Sequence, residues 1–81
     1  MSDQKIIEKL QELVRNVLGY NDIVLTEKTK FQDLGVNSFG MVQLICEIED
    51  EFDIEIPNSS IKSINNVPSA VKLLKKLLKA K

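Results

Sequence analysis

The sequence predicts an all-α fold: a four-helix bundle of three longer helices and one short helix, with a long loop between the first and second. Three observations point there. Apolar residues recur at i, i+3, i+4, i+7 in three separate segments, the period of a helix with one buried face. Glycine and proline number only three and two, too few for a turn-rich all-β domain. The length of 81 residues makes one small domain, residues 1–81, whose thin core calls for economical packing.

The first helix places Ile6, Ile7, Leu10, Leu13, Val14, Val17 and Leu18 on one face, behind Ser2 or Asp3 as N-cap, and Gly19 ends it. From Tyr20 to Asn37 the pattern breaks into short apolar touches, Tyr20, Ile23, Val24, Leu25, Phe31, Leu34 and Val36. That reads as an ordered loop pinned to the core, and connections of this length are often functional.

The second helix begins at Ser38 and runs to about Phe52, with Met41, Leu44, Ile45, Ile48 and Phe52 inside one core-facing arc. Phe52, Ile54 and Ile56 then alternate with acids up to Pro57, a short extended stretch that closes the helix. A short helix from about Ser59 to Ile64 follows, with Asn58 as its cap. The last helix opens with Asn66 as N-cap and Pro68 in the first turn. It sets Ala70, Val71, Leu74, Leu77 and Leu78 against Lys72, Lys75, Lys76 and Lys79.

Composition excludes several functions. The chain has no histidine, which removes the commonest part of catalytic dyads, triads and zinc sites. Cys46 is the one cysteine; with no base partner and a mid-helix position it reads as an apolar residue, not a nucleophile. The acids of residues 47–55 lack EF-hand spacing and its glycine, so no metal site is expected. A net charge of −1 gives no reason to expect nucleic acid. No apolar run approaches the length of a membrane span, and no secretory leader stands at the N-terminus, so a cytoplasmic setting is expected. The basic final helix resembles a membrane-surface element, but its leucines serve the core and C-terminal lysines complement the helix dipole.

The informative stretch is residues 34–57, LGVNSFGMVQLICEIEDEFDIEIP. A serine, Ser38, stands at the start of a helix, where unpaired N–H groups and the positive dipole end suit a phosphate. Taken alone, such a serine is an N-cap. Beyond it, Phe39, Val42 and Cys46 project nearly opposite the core arc. Six carboxylates and no base follow, among them Glu49, Asp50 and Asp53. An apolar strip rimmed by one sign of charge suits docking on a basic partner.

These residues resemble the acyl carrier protein family over essentially the whole chain. The family's Asp-Ser-Leu at the second helix appears here as Asn37-Ser38-Phe39, preceded by Phe31, Asp33, Leu34, Gly35 and Val36. The resemblance implies an acyl-carrier-like bundle and a 4'-phosphopantetheine arm on Ser38, donated by coenzyme A through a phosphopantetheinyl transferase. It also implies acyl groups held as thioesters and carried between enzymes of fatty acid, polyketide or related biosynthesis, so that the protein is a shuttle and not an enzyme. Partner docking falls to Asn37, Phe39, Val42, Cys46, Glu49, Asp50 and Asp53, facing acyl-loading and acyl-processing enzymes with basic surfaces, and the protein itself is expected to be a monomer. Gly40 and Gln43 stand where acids are common in fatty-acid-synthesis carriers. Ser38-Phe39-Gly40 followed by Val42 is also similar to D-alanyl carrier proteins, which leaves an aminoacyl cargo open, as does a helical interaction module with no prosthetic group.

Overall fold

A computed structural model describes residues 2–80. Four helices follow one another, α1 (Asp3–Leu18), α2 (Ser38–Phe52), α3 (Asn58–Ile61) and α4 (Val67–Ala80), with a 3-10 helix at Phe31–Leu34 inside the first loop. No strand forms among the described residues. α1 packs against both α2 and α4. Ile6, Leu10, Phe31, Leu44, Ile48 and Leu74 are fully buried at the centre.

The helix ends follow local chemistry. Ser2 caps α1 by accepting the Lys5 N–H at 3.3 Å, so Asp3 is free to meet Lys75 Nζ at 2.8 Å. Gly19 closes α1 at φ 78 and donates to Arg15 O, in the left-handed region where glycine avoids a Cβ clash. Asn66 caps α4, its side-chain oxygen accepting the Ser69 N–H at 2.8 Å. Across the bundle Lys9 Nζ meets Glu51 Oε1 at 2.9 Å. The hydrogen bond that Lys9 donates to Glu51, and then the Glu51 charge, raise the Lys9 pKa above its usual value.

Three expectations change. The short helix covers Asn58–Ile61, with Asn58 its first residue and Pro57 in the cap position. Beyond it, Ser63 N and Ile64 N bond to Ser60 O and Ile61 O in tighter turns, which is why helical spacing persisted to the buried Ile64. Tyr20 and Val24 are exposed rather than touching the core. Arg15 Nε donates to Ile23 O and Leu25 N donates to Gln11 Oε1, so Ile23 and Leu25 turn inward and Val24 between them turns out. Met41, placed in the core arc, is only half-buried.

The long loop is stitched to the α3–α4 connection. Val67 N donates to Thr29 O at 2.9 Å and Phe31 N to Asn65 O at 3.2 Å, around an antiparallel bridge between Lys30 and Asn66. With Phe31 1% exposed, this fixes the chain just before α2.

Candidate functional site at the start of the second helix

The site is built from Phe31 forward. The 3-10 turn ends at Gly35, whose φ of 89 is left-handed and whose N–H bonds to Gln32 O and Phe31 O. Val36 N returns to Phe31 O at 3.2 Å, and the Val36 side chain is buried. The backbone then turns out at Asn37, φ −88 and ψ −174, the extended geometry of an N-cap.

Asn37 does the capping. Its Oδ1 accepts the Gly40 N–H at 2.8 Å, and its carbonyl accepts Met41 N at 2.8 Å. Gly40 is buried; a Cβ there would lie 3.4 Å from Asn37 Oδ1 and 3.4 Å from Val36 Cγ1, so glycine leaves the capping amide room. Ser38 is therefore the first helical residue and not the cap expected of it in isolation. Its side chain is exposed, and among the described residues its hydroxyl has no hydrogen-bond partner. With Gly40 N–H taken, the Ser38 and Phe39 N–H groups remain as open donors at the positive end of the helix. A cleft of about 730 Å³ opens beside it, with Phe31, Val36, Ser38, Met41 and Ile64 in its walls.

The other residues singled out in the sequence divide into two sets. Phe39 is 73% exposed and Val42 60%, and Cys46 is exposed as a free thiol; all three stand on the Ser38 side of α2. Asp50 is exposed. Glu49 is half-buried and turned inward, its Oε2 accepting Ile56 N–H at 2.8 Å. Asp53 takes the left-handed C-cap position at φ 53, donating its N–H to Glu49 O. Sequence reasoning missed the structural work of Asn37, Gly40 and Glu49. The signal for the first was in plain view, since Asn is as good an N-cap as Ser and sits one residue earlier.

An exposed, unengaged hydroxyl flanked by two open N–H donors fits a phosphodiester. Among the described residues, no cation or carboxylate hydrogen-bonds to the hydroxyl.

The comparisons with known proteins identify the family. The family described as Phosphopantetheine attachment site matches residues 8–74. The chain is 38% identical over 72 residues to an acyl carrier protein of Guillardia theta, covering 88% of this chain and 89% of that one. It is 36% identical over 72 residues to one of Cyanidioschyzon merolae, covering 88% and 79%. Among solved structures, the acyl carrier protein of Thermotoga maritima superposes with a TM-score of 0.88 at 28% identity, over 99% of this chain and 94% of that one. Holo acyl carrier protein of Geobacter metallireducens gives 0.82 at 25%, over 91% and 86%. The chain belongs to the acyl carrier protein family, and its prosthetic group is 4'-phosphopantetheine. No helix among the described residues is long and apolar enough to cross a membrane.

Proposed function

We propose that Ser38 Oγ is the attachment point of the arm and that the exposed face of α2 next to it docks the enzymes that load and use the cargo. The observation that carries this reading is the division of labour at the helix start. Asn37 satisfies the helix end, so the Ser38 hydroxyl is exposed and unengaged. The chain has six serines. Ser2, Ser63 and Ser69 have their hydroxyls in local hydrogen bonds, and Ser59 and Ser60 lie within the four-residue α3. Only Ser38 opens a long helix.

Ser38 Oγ attacks the pantetheine-side phosphorus of the coenzyme A diphosphate, the P–O bond to the nucleotide breaks so that adenosine 3',5'-bisphosphate leaves, and a phosphopantetheinyl transferase supplies the base that takes the serine proton. Once attached, the arm's thiol holds the cargo as a thioester. The protein itself catalyses nothing in this scheme. The Ser38 and Phe39 N–H groups favour the phosphodiester by about 0.3–1 kcal/mol, the usual gain for an anion at an exposed helix N-terminus. Phe39, Val42 and Cys46 present the apolar contact, and Asp50 with Glu47 presents negative charge to basic partners. Asn37 and Glu49 serve docking indirectly, by holding the helix start and the α2–α3 segment in place, while Asp53 closes the helix. Such partners include the transferase and acyl-processing enzymes, met by a monomeric carrier in the cytoplasm.

The attachment point is tested by fragmentation mass spectrometry of the phosphopantetheinylated protein. An arm located on Ser38 supports the assignment; an arm on Ser59, Ser60 or any other hydroxyl overturns it.

A further inference from the structure

Charge is sorted along this chain. All twelve carboxylates lie at or before Glu55, and the residues after it carry six lysines and no acid. Four of those lysines, Lys72, Lys75, Lys76 and Lys79, are spaced i, i+3, i+4, i+7 on α4 and are all exposed, so they form one stripe about 10 Å long. The dipole of α4 accounts for only one of them, because Lys79 alone lies in the last turn. Among the described residues Lys75 has a partner, the exposed Asp3, and Lys72, Lys76 and Lys79 have none. Beside the stripe, Leu73 and Leu77 are only half-buried.

We propose that the lysine stripe of α4 docks the carrier reversibly on the surface of an anionic lipid bilayer. Charge complementarity favours this occupant over a second copy of the chain. A self-pair would set the stripe against the acidic helix α2, where Glu49 is committed to Ile56 N–H and Glu51 to Lys9, and would cover the exposed Glu47 and Asp50, which the proposed function gives to partner enzymes. A lipid surface presents mobile anionic headgroups that match any spacing of lysines. The acids on α2 do not forbid the approach: α4 packs on α1, as α2 does, and one helix spacing of about 8–10 Å is already about one Debye length at physiological salt. With no aromatic residue on α4, attachment is electrostatic and shallow, with the lysine stems and the Leu73–Leu77 edge at the interface.

Each lysine near such a surface strengthens partitioning about five-fold. Full-length protein is sedimented with phosphatidylcholine vesicles that contain either about one-third phosphatidylglycerol or none. Binding to the anionic vesicles only, lost at about 0.5 M salt, is expected. The double variant Lys72→Glu, Lys76→Glu, with an unchanged helical circular dichroism spectrum, should partition more than a hundred-fold less. The single variant Lys72→Gln, a milder change, should lose about five-fold. Equal sedimentation with neutral vesicles, no sedimentation with anionic ones, or binding unaffected by the charge changes overturns the proposal. A salt-sensitive dimer in sedimentation velocity without vesicle binding would assign the stripe to a second copy, and retention on an acidic protein matrix without vesicle binding would assign it to a protein partner; either result also overturns the proposal.

Discussion

The side-chain oxygen of Asn37 accepts the backbone N–H of Gly40 at 2.8 Å, and this one bond leaves the Ser38 hydroxyl uncommitted. A serine at the start of a helix ordinarily spends its hydroxyl on capping. Here the residue before it caps, and glycine at position 40 keeps a Cβ away from the capping amide. Asn37→Ala should lower unfolding free energy by about 1 kcal/mol, whereas Asn37→Asp keeps the acceptor, adds a charge at the positive helix end and should raise stability by about 0.3–1 kcal/mol. Urea unfolding checks both; an alanine variant as stable as the parent would show that Asn37 does not cap.

Gly35 holds φ 89 with no atom within 4 Å of where its Cβ would stand. Gly35→Ala therefore meets no steric neighbour and isolates the conformational term, a loss of about 1–2 kcal/mol. Because Gly35 aims the chain into Val36 and Asn37, the variant should also speed amide exchange at Gly40. Exchange unchanged at that amide would separate the turn from the cap.

Glu49 joins α2 to the segment that leaves it. Glu49→Ala strands the Ile56 N–H, at a cost of about 1–3 kcal/mol, and Glu49→Gln, which retains an acceptor, should recover most of that loss. Asp50→Asn should leave stability within about 0.5 kcal/mol of the parent and reduce the salt dependence of partner docking. If Glu49→Ala unfolds like the parent in urea, the bond to Ile56 contributes nothing.

Phe39 and Leu44 make a controlled pair on one helix. Leu44 is 0% exposed, so Leu44→Ala should cost about 2–5 kcal/mol. Phe39→Ala should stay within about 0.5 kcal/mol of the parent while transfer to a partner enzyme slows. A large loss of stability at Phe39 would place that ring in the core.

Lys9 and Glu51 give a pH signature of known sign. The folded-state pKa of Lys9 lies above its ordinary 10.5, so its contribution is fully present below 10.5 and fades as pH rises through the folded value. Stability should fall more steeply in that alkaline range for the parent than for Lys9→Met, as followed by thermal unfolding across it. Equal slopes would show that the ion pair is too well solvated to matter.

Much of this was legible in the residues because its causes are local. The faces of α1, α2 and α4 follow from apolar spacing, and Gly19 and Asn66 announce their helix ends. The 3-10 turn at Phe31–Leu34 was not read, since four residues are too few for a period; only the glycine after it hinted at a turn. Tyr20 and Val24 were misplaced because a loop's inward and outward residues are set by bonds from Arg15 and Gln11 on another element. Glu49 looked like one more surface acid because its partner, Ile56 N–H, is a backbone group that no side-chain pattern announces.

On the proposed reading, the Ser38 hydroxyl, set free by the Asn37 cap, receives the arm. The most direct measurement is intact-protein mass after incubation with coenzyme A, magnesium and a broad-specificity phosphopantetheinyl transferase, with folded Ser38→Ala in parallel. The parent should gain one phosphopantetheine group and the variant none. The same gain in Ser38→Ala, or no gain in the folded parent with several transferases, would contradict that reading.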